Sequence, residues 1–143
     1  MRTYGYAFKI SRAKEGGRVI TCRDLPEAIS QAEQSENRVS VAAGCLQAAL
    51  EGRMRHEMSI PIPSAARPRE VTVAPPVETI AKVALYDAMR QAKVSKSELA
   101  RRLGIDEKEV RRLLDPGYGS KLPRIARAIE ALGQRLIIGI ESE

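Results

Sequence analysis

The chain has 143 residues, enough for one ordinary domain or two small ones. Its side chains are 43% hydrophobic and 29% charged, the composition of a globular protein, and no run of about 18 apolar residues is present to cross a membrane. The formal charge of +6 favours a phosphate polymer as partner.

Bulk charge does not say which half would touch such a polymer. Residues 1–76 hold 11 basic and 8 acidic side chains, and residues 77–143 hold 13 and 10, a surplus of three in each. Cys22 and Cys45 have no metal-ligand spacing, and Met1 to Gly5 has no apolar signal core. Together these predict a reducing cytosol, with no metal and no cofactor.

In chain order, Tyr4, Tyr6, Phe8 and Ile10 alternate with Gly5, Ala7 and Lys9, which predicts a strand over Tyr4 to Arg12 with one large apolar face. Glu15-Gly16-Gly17 reads as a turn and Arg18 to Arg23 as a second strand, making a hairpin that Asp24-Leu25-Pro26 ends. Residues 26–33 carry no decisive period. From about Ser35 the spacing becomes three and four, through Val39, Ala42, Ala43, Leu46, Ala49 and Leu50. That predicts an amphipathic helix ending between Gly52 and Arg55. Five of the eight prolines then fall between Pro61 and Pro76. Proline removes a backbone donor and restricts the residue before it, so residues 58–76 read as an extended connector with one short strand near 70–74. Residues 1–76 are therefore expected to form a small α+β domain, its helix on one face of an antiparallel sheet.

Residues 77–143 read as an all-α domain with a short C-terminal strand. Glu78 to Ala92 presents Ile80, Val83, Ala84, Ala88 and Met89 on a broad apolar face. Ser95 to Leu103, Asp106 to Leu114 and Lys121 to Leu132 are three more short helices. Arg135 to Glu141 closes the chain as a strand with Leu136, Ile138 and Ile140 on one face. An exposed strand edge invites a second chain, so these three residues predict a homodimer or higher oligomer.

The most informative segment runs from Ser95 to Leu114. Ser95 is a natural N-cap with Glu98 three residues on, a capping box, and Asp106 with Glu109 repeats it. Ala100 leaves room for two helices to approach. Gly104, four residues later, supplies the positive φ of a sharp turn. Val110, with Leu113 or Leu114, anchors the second helix. A small residue, a glycine after four and an apolar anchor six further on make the skeleton of the DNA-binding helix-turn-helix of the phage-repressor class. On the second helix, Glu107, Lys108 and Arg111 are expected to face a major groove. Lysine and arginine there can meet guanine, and a glutamate can accept from cytosine. Lys96 and Ser97 open the preceding helix. Arg112, Lys121 and Arg124 are candidate phosphate contacts, which position the protein without reading sequence.

An enzyme would need convergent polar groups. One histidine, His56, stands in a polar stretch, and no phosphate-binding glycine loop or nucleophile–base arrangement is present, so no catalytic residue is assigned.

The whole layout resembles the HicB antitoxin family of bacterial toxin–antitoxin systems. The resemblance is carried by Tyr6-Ala7-Phe8, Asp24-Leu25-Pro26, Leu46-Gln47-Ala48-Ala49-Leu50, Ala81-Lys82-Val83-Ala84-Leu85-Tyr86 and Arg111-Arg112-Leu113-Leu114-Asp115-Pro116. It implies a partial ribonuclease-H-like fold without catalysis for the N-terminal domain, which would mask a small HicA-type ribonuclease toxin in the bacterial cytoplasm. The C-terminal domain would repress the shared operon by binding double-stranded operator DNA. HicA-type toxins tend to be basic, so toxin binding is expected to use local acidic residues, Asp24, Glu27, Glu33 and Glu36. The alternative is a repressor, stand-alone or ligand-responsive, without a toxin partner.

Overall fold

A computed structural model describes residues 1–142. It divides between Val77 and Glu78 into two compact units.

The first unit is a four-stranded antiparallel sheet with one helix. Strands β1 (Tyr6–Arg12), β2 (Arg18–Cys22), β3 (Ser30–Ala32) and β4 (Glu70–Val73) lie in the order β3-β2-β1-β4, and α1 (Arg38–Arg55) packs across all four. The first hairpin pairs Phe8 with Cys22 and Arg12 with Arg18. Its turn needs glycine twice: Gly16 and Gly17 have φ of 93° and 74°. A side chain at Gly17 would also put its Cβ 2.7 Å from the Ala32 carbonyl oxygen, whereas Gly16 faces open space. Tyr6, Phe8 and Ile20 are fully buried, and Ala7, on the opposite face of β1, is buried as well. The sheet is thus covered on both sides there.

Asn37 caps α1 by accepting from the Val39 and Ser40 amides at 3.0 and 3.2 Å. Ala42, Leu46, Ala49, Leu50 and Met54 form its buried stripe; of the expected apolar face, Val39 instead lies exposed in the first turn and Ala43 is half-buried. Residues 26–33, left unassigned by periodicity, hold β3, which pairs Arg18 with Ala32 and Ile20 with Ser30.

The Pro-rich stretch is extended, and it is stitched to the first unit. Carbonyls accept along its length: Ile60 from Arg2 (3.1 Å), Pro61 from the Tyr6 hydroxyl (2.7 Å), Ser59 from Arg53 (3.0 Å) and Ala65 from Arg23 (3.0 Å). Proline-rich backbone has carbonyls without a matching set of amides, so side-chain donors supply its partners. Glu70, at the start of β4, takes both guanidinium arms of Arg23 at 2.7 and 2.8 Å and the Arg67 amide at 2.7 Å. These bonds hold its carboxyl at about 2, first through Arg23 and then through the Arg67 amide.

The second unit is helical: α2 (Val77–Ala92, beginning one residue before the division), α3 (Lys96–Leu103), α4 (Glu107–Leu114) and α5 (Leu122–Glu130). Leu85, Leu99, Val110 and Ile125, one from each helix, are fully buried and meet in one core with Ala81, Ala100, Leu113, Ala128 and Ile129. The alanines let the helices approach closely.

Two expectations fail here. Arg135 to Glu141 forms no strand among the described residues. Its alternating pattern is present, but a strand needs a ladder partner, and none pairs with it among the described residues. Leu136 is instead half-buried against the helical core, while Ile137, Ile138 and Ile140 are 58, 60 and 99% exposed. Asp106 precedes α4 in extended conformation but makes no side-chain cap bond, so the second capping box is absent. The Glu109 carboxylate turns to Arg124, 3.7 Å away.

Candidate nucleic-acid interface and partner-facing carboxylates

The α3–α4 pair is built from its ends. The Ser95 hydroxyl accepts from the Glu98 amide at 3.1 Å, starting α3. The reciprocal half of that box is replaced, because the Glu98 carboxylate bonds Arg101 at 2.6 and 2.9 Å and Arg102 at 3.1 Å. Those two arginines, Arg101 first, pull its carboxyl down to about 2. Gly104 ends α3 with φ 66° and ψ 34°, and the Ile105 amide reaches back to the Ala100 carbonyl at 3.0 Å. This is the left-handed termination that glycine allows.

Val110 and Leu113 turn α4 inward, and Glu107, Lys108, Arg111 and Arg112 face solvent. The expected anchor is thus Leu113, with Leu114 half-buried. Lys96 and Ser97 are exposed at the start of α3, and Lys121 and Arg124 at the start of α5. Arg112, Lys121 and Arg124 come together around an open cavity of about 270 Å³, lined also by Glu109, Tyr118 and Ser120. Arg112 stacks over the Tyr118 ring at 5.3 Å, a residue absent from the sequence expectation. Arg111 is held by Glu107 at 3.1 Å. Among the described residues, Lys96, Lys108 and Lys121 stand in no ion pair.

A further side chain escapes the sequence reading. Lys82 of α2 is buried and donates to the carbonyls of Arg112 and Asp115 at 3.0 and 2.7 Å and to the Ser120 hydroxyl at 3.0 Å. The signal for it lies in spacing: Lys82 stands three residues before Leu85 and seven before Met89, both buried, which places it on the inward face.

The four candidate carboxylates of the first unit divide in two. Asp24 accepts from the Ser64 amide and hydroxyl, both at 2.7 Å. Glu27 takes Arg53 in a two-armed pair at 2.5 and 3.0 Å, which lowers its pKa. Both therefore hold distant segments of the fold. Glu33 and Glu36 are exposed in the turn before α1, where Glu36 accepts from the Glu33 amide at 2.8 Å. His56 is exposed at the end of α1, its Nδ1 2.8 Å from the Gly52 carbonyl. Cys22 is buried and Cys45 half-buried, and burial raises both thiol pKa values, the setting of unreactive thiols. Among the described residues no helix is long and apolar enough to cross a membrane.

The architecture defines a class of small two-unit α+β proteins whose candidate chemistry lies on charged, solvent-facing side chains. Residues 5–84 match the family described as HicB-like antitoxin of bacterial toxin–antitoxin system. The likeness to individual relatives extends through the helical unit. The chain is 30% identical to Antitoxin HicB of Escherichia coli K12 over 131 residues, which covers 92% of this chain and 95% of the relative. It is 30% identical over 141 residues to Antitoxin HicB of Pseudomonas fluorescens Pf0-1, covering 97% and 95%. It is 33% identical over 122 residues to Antitoxin HicB 2 of Photorhabdus laumondii, covering 85% and 86%. The chain belongs to the HicB-like antitoxin family.

Proposed function

We propose that the chain is the antitoxin of a HicA–HicB type pair with two separate binding functions. The sheet unit binds and masks a small ribonuclease toxin of HicA type, and the helical unit binds operator DNA and represses the shared operon. It works as a binding protein, not a catalyst, in the bacterial cytoplasm.

The observation that carries the DNA half is the outward face of α4. Val110 and Leu113 anchor the helix, leaving Glu107, Lys108, Arg111 and Arg112 in solvent. With α4 in a major groove, Lys108 and Arg111 read bases, Glu107 accepts from cytosine, and Arg112, Lys121 and Arg124 take phosphates beside it. Lys96 and Ser97 contact the flanking backbone. Ile138 and Ile140, exposed with Ile137, support a homodimer through the C-terminal tail, and two α4 helices then meet half-sites about one helical turn apart. Leu136 belongs to that tail from its half-buried seat against the helical core.

On the toxin side, Glu33 and Glu36 are the carboxylates placed to meet a basic partner, because Asp24 and Glu27 are engaged within the fold.

The test has two arms. Co-expression with the HicA-type toxin should rescue growth and give a co-purifying complex that Glu33→Lys/Glu36→Lys weakens. A duplex carrying the operon's own promoter should bind with strong salt dependence, and Lys108→Ala/Arg111→Ala should lower that affinity by about a hundredfold. Growth arrest despite co-expression removes the first half, and equal affinity for promoter and scrambled duplex removes the second.

A further inference from the structure

Lysine in a protein interior demands an explanation, since burial disfavours its charged form. Lys82 is 4% exposed. Its ammonium has three N–H donors and no acceptor capacity, and three acceptors surround it: the Asp115 carbonyl at 2.7 Å, the Arg112 carbonyl at 3.0 Å and the Ser120 hydroxyl at 3.0 Å. Every donor is matched. Desolvation lowers its pKa, and the Asp115 charge opposes that shift.

The acceptors are not scattered. Arg112 lies in the last turn of α4, where carbonyls lack helical partners and a cation is favoured by the helix dipole. Asp115 is the residue that ends α4, and Ser120 stands one residue before Lys121. One side chain from α2 therefore ties down both ends of the segment 112–120. Within it, Arg112 stacks on Tyr118, and beyond it Lys121 and Arg124 share the same cavity.

We infer that Lys82 is a positioning residue for nucleic-acid binding: it fixes the end of α4 and the loop to Lys121, so that Arg112, Lys121 and Arg124 sit where backbone phosphates arrive. It touches no DNA itself. This rests on the DNA-binding reading of the helical unit.

The test uses Lys82→Met, which keeps a long side chain and removes all three bonds. Measurements are made on the full chain at a temperature where circular dichroism shows the variant folded. Operator affinity, followed by fluorescence anisotropy across a salt series, should fall about tenfold. The slope of log affinity against log salt should stay at the wild-type value, because no phosphate contact is deleted, whereas Lys121→Ala should lower it by about one. Amide exchange at Asp115 and Tyr118, whose N–H groups bond to Arg112 and Asp115 carbonyls, should quicken. A merely structural lysine would lower the melting temperature and leave the affinity of the folded protein intact, so unchanged operator affinity in folded Lys82→Met overturns the inference. Should that variant not fold, Ser120→Ala removes one of the three acceptors, together with the long 3.4 Å bond that the same hydroxyl donates to the Arg112 carbonyl. It should weaken operator binding about threefold and quicken exchange at Tyr118, and wild-type values for both would overturn the inference equally. If the wild-type chain itself ignores its promoter, the DNA-binding reading falls. Exchange at Asp115 and Tyr118 in Lys82→Met then still decides whether Lys82 fixes the loop.

Discussion

Replacing Glu107 by glutamine should make the protein bind DNA more tightly and less selectively. The Glu107 carboxylate lies 3.1 Å from Arg111, and the two side chains are 47 and 55% exposed. An ion pair so open to solvent is worth at most about 1 kcal/mol, so freeing Arg111 gains no more than that. A carboxylate about 7 Å from a phosphate in water also repels it by about 0.6 kcal/mol before salt screening. Together these permit up to about a fifteenfold rise in affinity for any duplex, and about fivefold is expected after screening. Operator affinity should rise less, because the charged acceptor for cytosine becomes a neutral, weaker amide oxygen. Fluorescence anisotropy with the promoter duplex and a scrambled duplex of equal length, at one salt concentration, measures both. The expected outcome is a gain on scrambled DNA and a smaller operator-to-scrambled ratio. If scrambled-duplex affinity fails to rise, Glu107 does not restrain Arg111, and the reasoning is wrong.

Three further outcomes test other parts of the structure. Gly17→Ala should destabilise the sheet unit by about 3 kcal/mol and Gly16→Ala by only about 1 kcal/mol, since both have positive φ but only Gly17 would drive a Cβ into Ala32; urea unfolding of the two variants compares them within one hairpin. The folded Glu70 carboxyl titrates near 2 against the usual 4.5, so its stabilisation is complete above about pH 4.5 and disappears as pH falls toward 2. Glu70→Gln should accordingly flatten the loss of thermal midpoint between about pH 5 and about pH 3. Truncation after Gly133 removes Leu136, Ile137, Ile138 and Ile140; light scattering should report a dimer for the full chain and a monomer for the truncated one. A truncated chain that is still dimeric would assign dimerisation to another surface, and a monomeric full chain would remove the dimer.

The features legible in the sequence are those set by neighbours along the chain. The helix over Arg38–Arg55, the hairpin around Gly16-Gly17 and the glycine turn at Gly104 each follow from spacing and φ requirements within a few residues. What escapes is set by distant partners. Strand β3 has three residues and exists through its pairing with β2. Asp24 and Glu27 read as surface acids, but their partners Ser64 and Arg53 lie 40 and 26 residues away. The tail from Arg135 to Glu141 has a strand's alternation without a strand's neighbour. Lys82 shows the reverse case, a residue whose inward spacing is readable but whose type argues for solvent, and only the three acceptors resolve the conflict.

The basic groups of both halves divide in the same way. Both halves carry a surplus of three, and each holds some basic groups internally while leaving others, such as Lys9, Lys14 and Arg38 of the sheet unit, in no ion pair among the described residues. In the sheet unit, Arg2, Arg23 and Arg53 donate to carbonyls of the Pro-rich stretch, and Arg23 and Arg53 also close two-armed pairs with Glu70 and Glu27. A guanidinium held in this way would have to break internal bonds to meet a phosphate. In the helical unit, Lys96, Lys108 and Lys121 make no ion pair among the described residues, and the pairs of Arg111 and Arg124 are long or open to solvent. Counterion release depends on cations free to replace ions on the phosphate backbone. Neither net charge nor the supply of unpaired cations therefore separates the halves; the proposal that the helical unit binds DNA rests on the outward face of α4, where Lys108 and Arg111 share one exposed surface, and the promoter-duplex titration tests it.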